Sequence, residues 1–265
     1  DFRAMIAFLE KETGHKMDYD KLREMLEETR VQQEMVQDIQ EMMTLKPSPM
    51  PSFWNFILAV GYNLNLGRPE FTTLLKIMQA EVRKNAEAGV AGTPTGRERA
   101  RLYMVYLDHY QSDLSYWKWM DDMELSNLGM VINQNFYEGQ PYLEGNEAMG
   151  WYADTSSEEA MINSCVDLGS RQPMARSIRG PFSGPNQWLD ESLTMMKYFK
   201  ADAAVYMGTY GCRNHWSVVQ PLARELEKHK FPTCIITSDA LDERAQSWLA
   251  TQAQLEEFLK IRGIE

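Results

Sequence analysis

Apolar positions in the first part of the chain follow a helical period. Leu22, Met25, Leu26, Met35, Val36, Ile39, Met42 and Met43 recur at close to 3.6 residues rather than alternating, so residues 20–43 are predicted to be helical. Glu24, Glu27, Glu28, Arg30, Glu34 and Asp38 supply the opposite, charged face. The run Lys46-Pro47-Ser48-Pro49-Met50-Pro51 stops that helix, because proline lacks a donor and restricts the residue before it. Two more helices are predicted over 53–62 and 69–88, the second opening on Pro69, which suits a first helical turn. Residues 89–96 hold three glycines and one proline, and read as a loop or a domain junction.

Beyond that junction the pattern changes. Short apolar runs at 101–107, 128–133, 203–207 and 232–237 predict strands. Helical patterns fall between and after them, at 112–125, 157–168, 187–199, 217–228 and 251–261. Thr155 or Ser156 is the expected cap of the helix at 157–168, with Glu158 or Glu159 in its first turn. Alternation of this kind favours a parallel sheet with crossover helices. The expected fold is therefore α/β: a helical N-terminal region, 1–96, followed by a flavodoxin-like parallel-sheet domain, 97–265. Neither a fixed-period repeat nor a low-complexity tract interrupts it.

Composition narrows the function classes. A net charge of −11 argues against nucleic acid as a partner, since phosphate binding needs a concentrated basic surface. Without an apolar run of about 18 residues, a membrane span is not expected. Three scattered cysteines, Cys165, Cys212 and Cys234, make no disulfide framework and point to a reducing, cytoplasmic setting. The 18 methionines lie mostly at periodic apolar positions and read as flexible core filling. The chain begins with Asp1 rather than Met, so a fragment or a processed product is among the expectations.

One segment stands out for chemistry. Tyr206-Met207-Gly208-Thr209-Tyr210-Gly211-Cys212-Arg213-Asn214-His215-Trp216 carries an apolar run into a Gly-rich turn, presents a cysteine, and leads into a helix. Open α/β sheets bind ligands at that carboxyl edge, and a helix N-terminus favours thiolate over thiol. Cys212 is thus the candidate metal or cluster ligand, or a reactive thiol. Gly211, Arg213 and His215 flank it, although a first-turn histidine is more often simply exposed. Asp239 and Asp242 follow the strand at 232–237 and share the crevice if the two strands are adjacent; turn formation and capping explain them equally well. Cys165 and Cys234 sit in apolar patterns and read as core. The loop Gly180-Pro181-Phe182-Ser183-Gly184-Pro185-Asn186 is only a weak binding signal, and Gly-x-Ser-x-Gly, Walker A and Gly-x-Gly-x-x-Gly motifs are missing.

Around these residues the chain resembles the 2-hydroxyacyl-CoA dehydratase and benzoyl-CoA reductase family, in particular its 2-hydroxyglutaryl-CoA dehydratase D-component-like members. The likeness runs through Lys11-Glu12-Thr13-Gly14-His15-Lys16-Met17-Asp18-Tyr19-Asp20-Lys21-Leu22 and the Lys46-Pro47-Ser48-Pro49 break. It is most specific from Phe199-Lys200-Ala201-Asp202 through Gly211-Cys212-Arg213, then Phe231-Pro232-Thr233 and Asp239-Ala240-Leu241-Asp242-Glu243-Arg244. The resemblance implies a 4Fe–4S cluster with Cys212 as one ligand and a homologous second subunit. It also implies an ATP-dependent activator as electron donor and a ketyl-type loss of water from an (R)-2-hydroxyacyl-CoA. In that family the other cluster cysteines belong to an N-terminal α/β domain, whereas residues 1–90 here look helical and hold no cysteine. The remaining ligands are therefore expected outside this sequence. A benzoyl-CoA-type reductase subunit and a non-catalytic structural or binding partner are the alternative readings.

Overall fold

The computed structural model describes residues 2–106, 114–131, 136–145, 147–173, 175, 188–239 and 242–264. Four helices come first: α1 Phe2–Thr13, α2 Tyr19–Met43, α3 Ser52–Leu64 and α4 Pro69–Ala88. The remaining elements alternate as β1 Ala100–Met104, α5 Ser115–Asp122, β2 Leu125–Met130, α6 Glu158–Arg171, α7 Leu189–Tyr198, β3 Ala203–Thr209, α8 Arg213–Lys228, β4 Thr233–Ser238 and α9 Trp248–Arg262. The strands form one parallel sheet in the order β2-β1-β3-β4. This is the mixed α/β architecture, with a helical N-terminal region, that the hydrophobic pattern predicts.

The sheet is apolar on both faces because helices cover both, which is why β3 reads Ala-Ala-Val-Tyr-Met without polar alternation. Tyr103, Ala204 and Tyr206 point into a core shared with α2, α4, α7 and α8. Leu102, Met104, Val205, Met207 and Cys234 point the other way, toward Trp117 and Met120 of α5 and Leu255 and Leu259 of α9.

The boundaries differ from the sequence expectations in instructive places. β2 begins at Leu125 rather than 128, because its polar residues are satisfied: Ser126 Oγ donates to Glu98 at 2.6 Å, and Asn127 N donates to Ser52 Oγ at 3.2 Å. β1 closes at Met104, near a register shift against β2 between Leu102 and Met104. Residues 107, 112–113 and 132–133 of the expected elements, and the Gly180–Asn186 loop, lie outside the described residues. α6 is capped by Ser157, not Thr155 or Ser156: its extended backbone lets Oγ accept from Ala160 N at 3.1 Å. α8 starts at Arg213 rather than 217, so Cys212 itself is the N-cap residue.

At the amino edge of the sheet, Arg101 joins three parts of the chain. Its guanidinium donates to the carbonyls of Met43 (2.6 Å), Leu45 (2.8 Å) and Phe199 (2.7 and 3.0 Å), and to both Glu98 oxygens (2.9 Å). The Arg101 side chain is 1% exposed and that of Glu98 8%. Glu98 also accepts from Ser48 N at 3.0 Å, so the buried pair is hydrogen-bonded on both sides.

Candidate functional site at the carboxyl edge

A strand order of β2-β1-β3-β4 puts a topological switch point between β1 and β3, since the chain leaves β1 toward one edge and β3 toward the other. In open sheets, ligands bind in the crevice outside the carboxyl ends of the strands at that point. The residues there follow from the two strand ends. Beyond β1, Val105 N donates to Val205 O at 2.9 Å, which carries the pairing one residue further and delivers Tyr106 to the edge. Beyond β3, Cys212 N donates to Thr209 O at 3.0 Å, closing a tight turn that ends on the N-cap residue of α8.

These two ends meet. Tyr106 Oη lies 3.9 Å from Cys212 Sγ and donates toward it. The Tyr106 ring stacks on Trp188 with centroids 5.3 Å apart, and on Tyr206 at 6.1 Å. All three rings are buried. Burial is the largest reason that the Tyr106 phenol is pushed up to about 12, and the adjacent Cys212 sulfur adds to the rise. Burial drives the Tyr206 phenol above its ordinary value as well. The edge therefore joins a half-buried thiol at a helix N-terminus to a neutral phenol backed by an aromatic stack.

The other sequence candidates divide. Gly211 is exposed in the turn, and a Cβ placed on it would meet nothing within 4 Å. Arg213 opens α8 and is exposed. His215 lies in α8, with its side chain outside the described residues. Pairing of Thr209 with Ser238 sets β3 and β4 side by side, so Asp239 and Asp242 follow a strand end at the same edge as Cys212. Their described bonds build the loop itself. Asp242 N donates to Asp239 Oδ1 at 3.2 Å, and the Asp242 carboxylate takes Arg244, at 2.5 Å in the shortest bond. The Arg244 guanidinium holds the Asp242 carboxyl down at about 2.

The donor set can be tested against an iron–sulfur cluster, which usually takes about four thiolates. Cys165 lies in α6 and Cys234 is buried in β4, so neither is at this turn. Among the described residues, no group of three or more His, Cys, Asp or Glu side chains converges on a metal position. Cys212 suits a single ligand, and the described residues by themselves do not hold a cluster.

A doubly wound α/β protein with a topological switch point between β1 and β3 is the class that the fold defines. Over residues 1–261 the chain matches the family described as 2-hydroxyglutaryl-CoA dehydratase, D-component. The chain belongs to that family. No curated protein matches it. Among the described residues, no helix is long and apolar enough to cross a membrane.

Tyr106 and Trp188 were not singled out by sequence reasoning, and Tyr206 entered only as the start of the segment that leads to Cys212. The available signal was an aromatic residue closing the apolar run that begins at Arg101, one of two runs predicted to end at the ligand-binding edge.

Proposed function

We propose that this chain is a subunit of a 2-hydroxyacyl-CoA dehydratase, a lyase that removes water from an (R)-2-hydroxyacyl-CoA thioester by a ketyl-type route. In this reading Cys212 contributes one thiolate to a 4Fe–4S cluster whose other ligands lie outside the described residues. A homologous second subunit and an ATP-dependent activator protein complete the system, and the compartment is the cytoplasm. The observation that carries the reading is the place of Cys212. In a member of this family, it is the cysteine that stands at the switch-point edge, as the N-cap of α8 and next to a hydroxyl donor.

What the chain's own residues do there follows from their chemistry. The free backbone N–H groups at the amino end of α8, where Cys212 is the N-cap residue, suit a negatively charged ligand. The Trp188–Tyr106–Tyr206 stack closes the inner side of the edge against water. Gly211 is exposed in the turn that leads into Cys212. Asp239 and Asp242 shape the neighbouring rim rather than supplying ligands.

The test is anaerobic iron and sulfide quantification on the full reading frame, co-expressed with its second subunit and activator. About four irons per chain are expected, lost in Cys212→Ala, together with dehydration of a 2-hydroxyacyl-CoA. Iron retained in Cys212→Ala would remove the ligand assignment. Reduction of an aryl-CoA in place of dehydration would move the chain to the reductase branch.

A further inference from the structure

We propose that α3 guards the side of the sheet. Its Ser52 and Asn55 side chains occupy the bonding positions of a further strand beside β2, and so keep β2 from pairing with a second copy of the chain.

β2 is the outermost strand on its side. Unpaired backbone groups along such a strand invite another strand, and charged residues or prolines commonly discourage it. Leu125–Met130 holds neither, so its protection has to come from elsewhere. The ladder fixes which groups face outward. Arg99 N donates to Glu124 O at 2.7 Å, and the pairing runs regularly through Arg101 with Ser126 and Leu102 with Asn127. Residues facing the neighbour alternate with residues facing away, so Leu125 and Asn127 turn their backbone groups outward.

α3 meets them there. Ser52 Oγ donates to Leu125 O at 3.0 Å and accepts from Asn127 N at 3.2 Å. That is the pair of bonds one residue of a parallel neighbour would make with its own N–H and C=O. Asn55 Nδ2, one helical turn on, donates to Asn127 O. Asn127 Oδ1 takes Gly129 N at 3.0 Å, which covers the next outward donor. Ser52 and Asn55 are both buried, and Ser52 N donates to Asp121 Oδ1 at 2.9 Å, bracing the start of α3 against the end of α5. The hydroxyl of Ser52 is thus spent on the strand. A second copy is the occupant excluded, because two β2 edges related by a twofold axis would present the same donors and acceptors to each other.

Residue-resolved amide hydrogen exchange on the full chain tests this. In the wild type, the Asn127 amide should be as protected as those of Ser126 and Leu128, which face β1. In Ser52→Ala/Asn55→Ala, it should exchange about tenfold faster or more in dilute solution, while Ser126 and Leu128 stay protected. The same variant should self-associate as its concentration rises, and the Asn127 amide should regain protection as it does so. A wild-type Asn127 amide that exchanges like an exposed one overturns the inference without any variant. So does a folded variant that stays monodisperse at every concentration, or one that associates with the Asn127 amide still unprotected. If the double variant does not fold, Ser52→Ala alone is held to the same criteria.

Discussion

At the amino edge of the sheet, the Arg101 guanidinium directs its donors at Met43, Leu45, Phe199 and Glu98, all in the interior. At the carboxyl edge, the Cys212 thiol is half-buried, and its side chain makes no capping bond to the helix it begins. Both edges carry a polar side chain on a strand or at its exit, yet one is closed on itself and the other is left available. The contrast separates a side chain tied by many bonds into the fold from one whose described side-chain contact is the Tyr106 hydroxyl at 3.9 Å. It also warns that a buried charge is no sign of a site. Arg101 and Glu98 are the more deeply buried charged pair, and they belong to the scaffold.

The largest effect that would break this comparison lies at the amino edge. Arg101→Met is expected to lower unfolding stability by about 3–5 kcal/mol, because it strands the Glu98 carboxylate and three backbone carbonyls in a dry interior. Urea denaturation measures it. A loss below about 1 kcal/mol, the scale of an exposed ion pair, would mean that the edge is wetter and looser than its geometry.

A smaller effect is expected from the loop that abuts the same edge. Gly92 N donates to Ser48 O at 2.9 Å, and a Cβ on Gly92 would sit 2.2 Å from the Met50 carbonyl carbon and 2.3 Å from the Pro51 nitrogen. Neither neighbour is the tip of a flexible side chain, so the loop itself must move. Gly92→Ala should cost about 1–3 kcal/mol, whereas Gly211→Ala, with nothing within 4 Å, should cost far less. Equal thermal midpoints for the two variants would erase the distinction between a packed edge and an open one.

The two edges were unequally legible in the sequence. Cys212 announced itself because its signal is local: an apolar run, a Gly-Thr-Tyr-Gly turn, then a helix start. Helices α2 and α4 were equally plain, one from its repeat and its Pro-rich stop, the other from Pro69 and Gly89 at its ends. Tyr106 was not legible, because its meaning depends on β1 lying beside β3, a pairing no local pattern encodes. Arg101 was hidden for the same reason, as its partners at Met43 and Phe199 are 58 and 98 positions away. β2 was placed too late because Ser126 and Asn127 look like loop residues until Glu98 and Ser52 are known to receive them.

Cys234 sharpens the comparison from β4, the outer strand beside β3. Burial alone pushes its thiol from 9.0 up to about 12. The folded state thus keeps a proton that the unfolded chain releases near pH 9. Its contribution to stability is complete below pH 9 and is lost as the pH rises from there toward about 12. Urea midpoints across that window should fall more steeply for the wild type than for Cys234→Val, which has no proton to lose. Parallel slopes would mean that the thiol is not held in a dry environment.

The smallest expected change in stability is at Cys212 itself. Its side chain is half-buried and caps nothing, and removing it leaves the Trp188–Tyr106–Tyr206 stack and the Thr209 turn in place. Cys212→Ala should therefore shift unfolding by no more than about 0.5 kcal/mol, even where it abolishes iron binding by the complex. Measured on the metal-free chain, that near-zero value separates a thiol kept for a ligand from one kept for packing. A loss above about 1 kcal/mol would make Cys212 part of the scaffold, and the carboxyl edge would then be built on the same terms as Arg101.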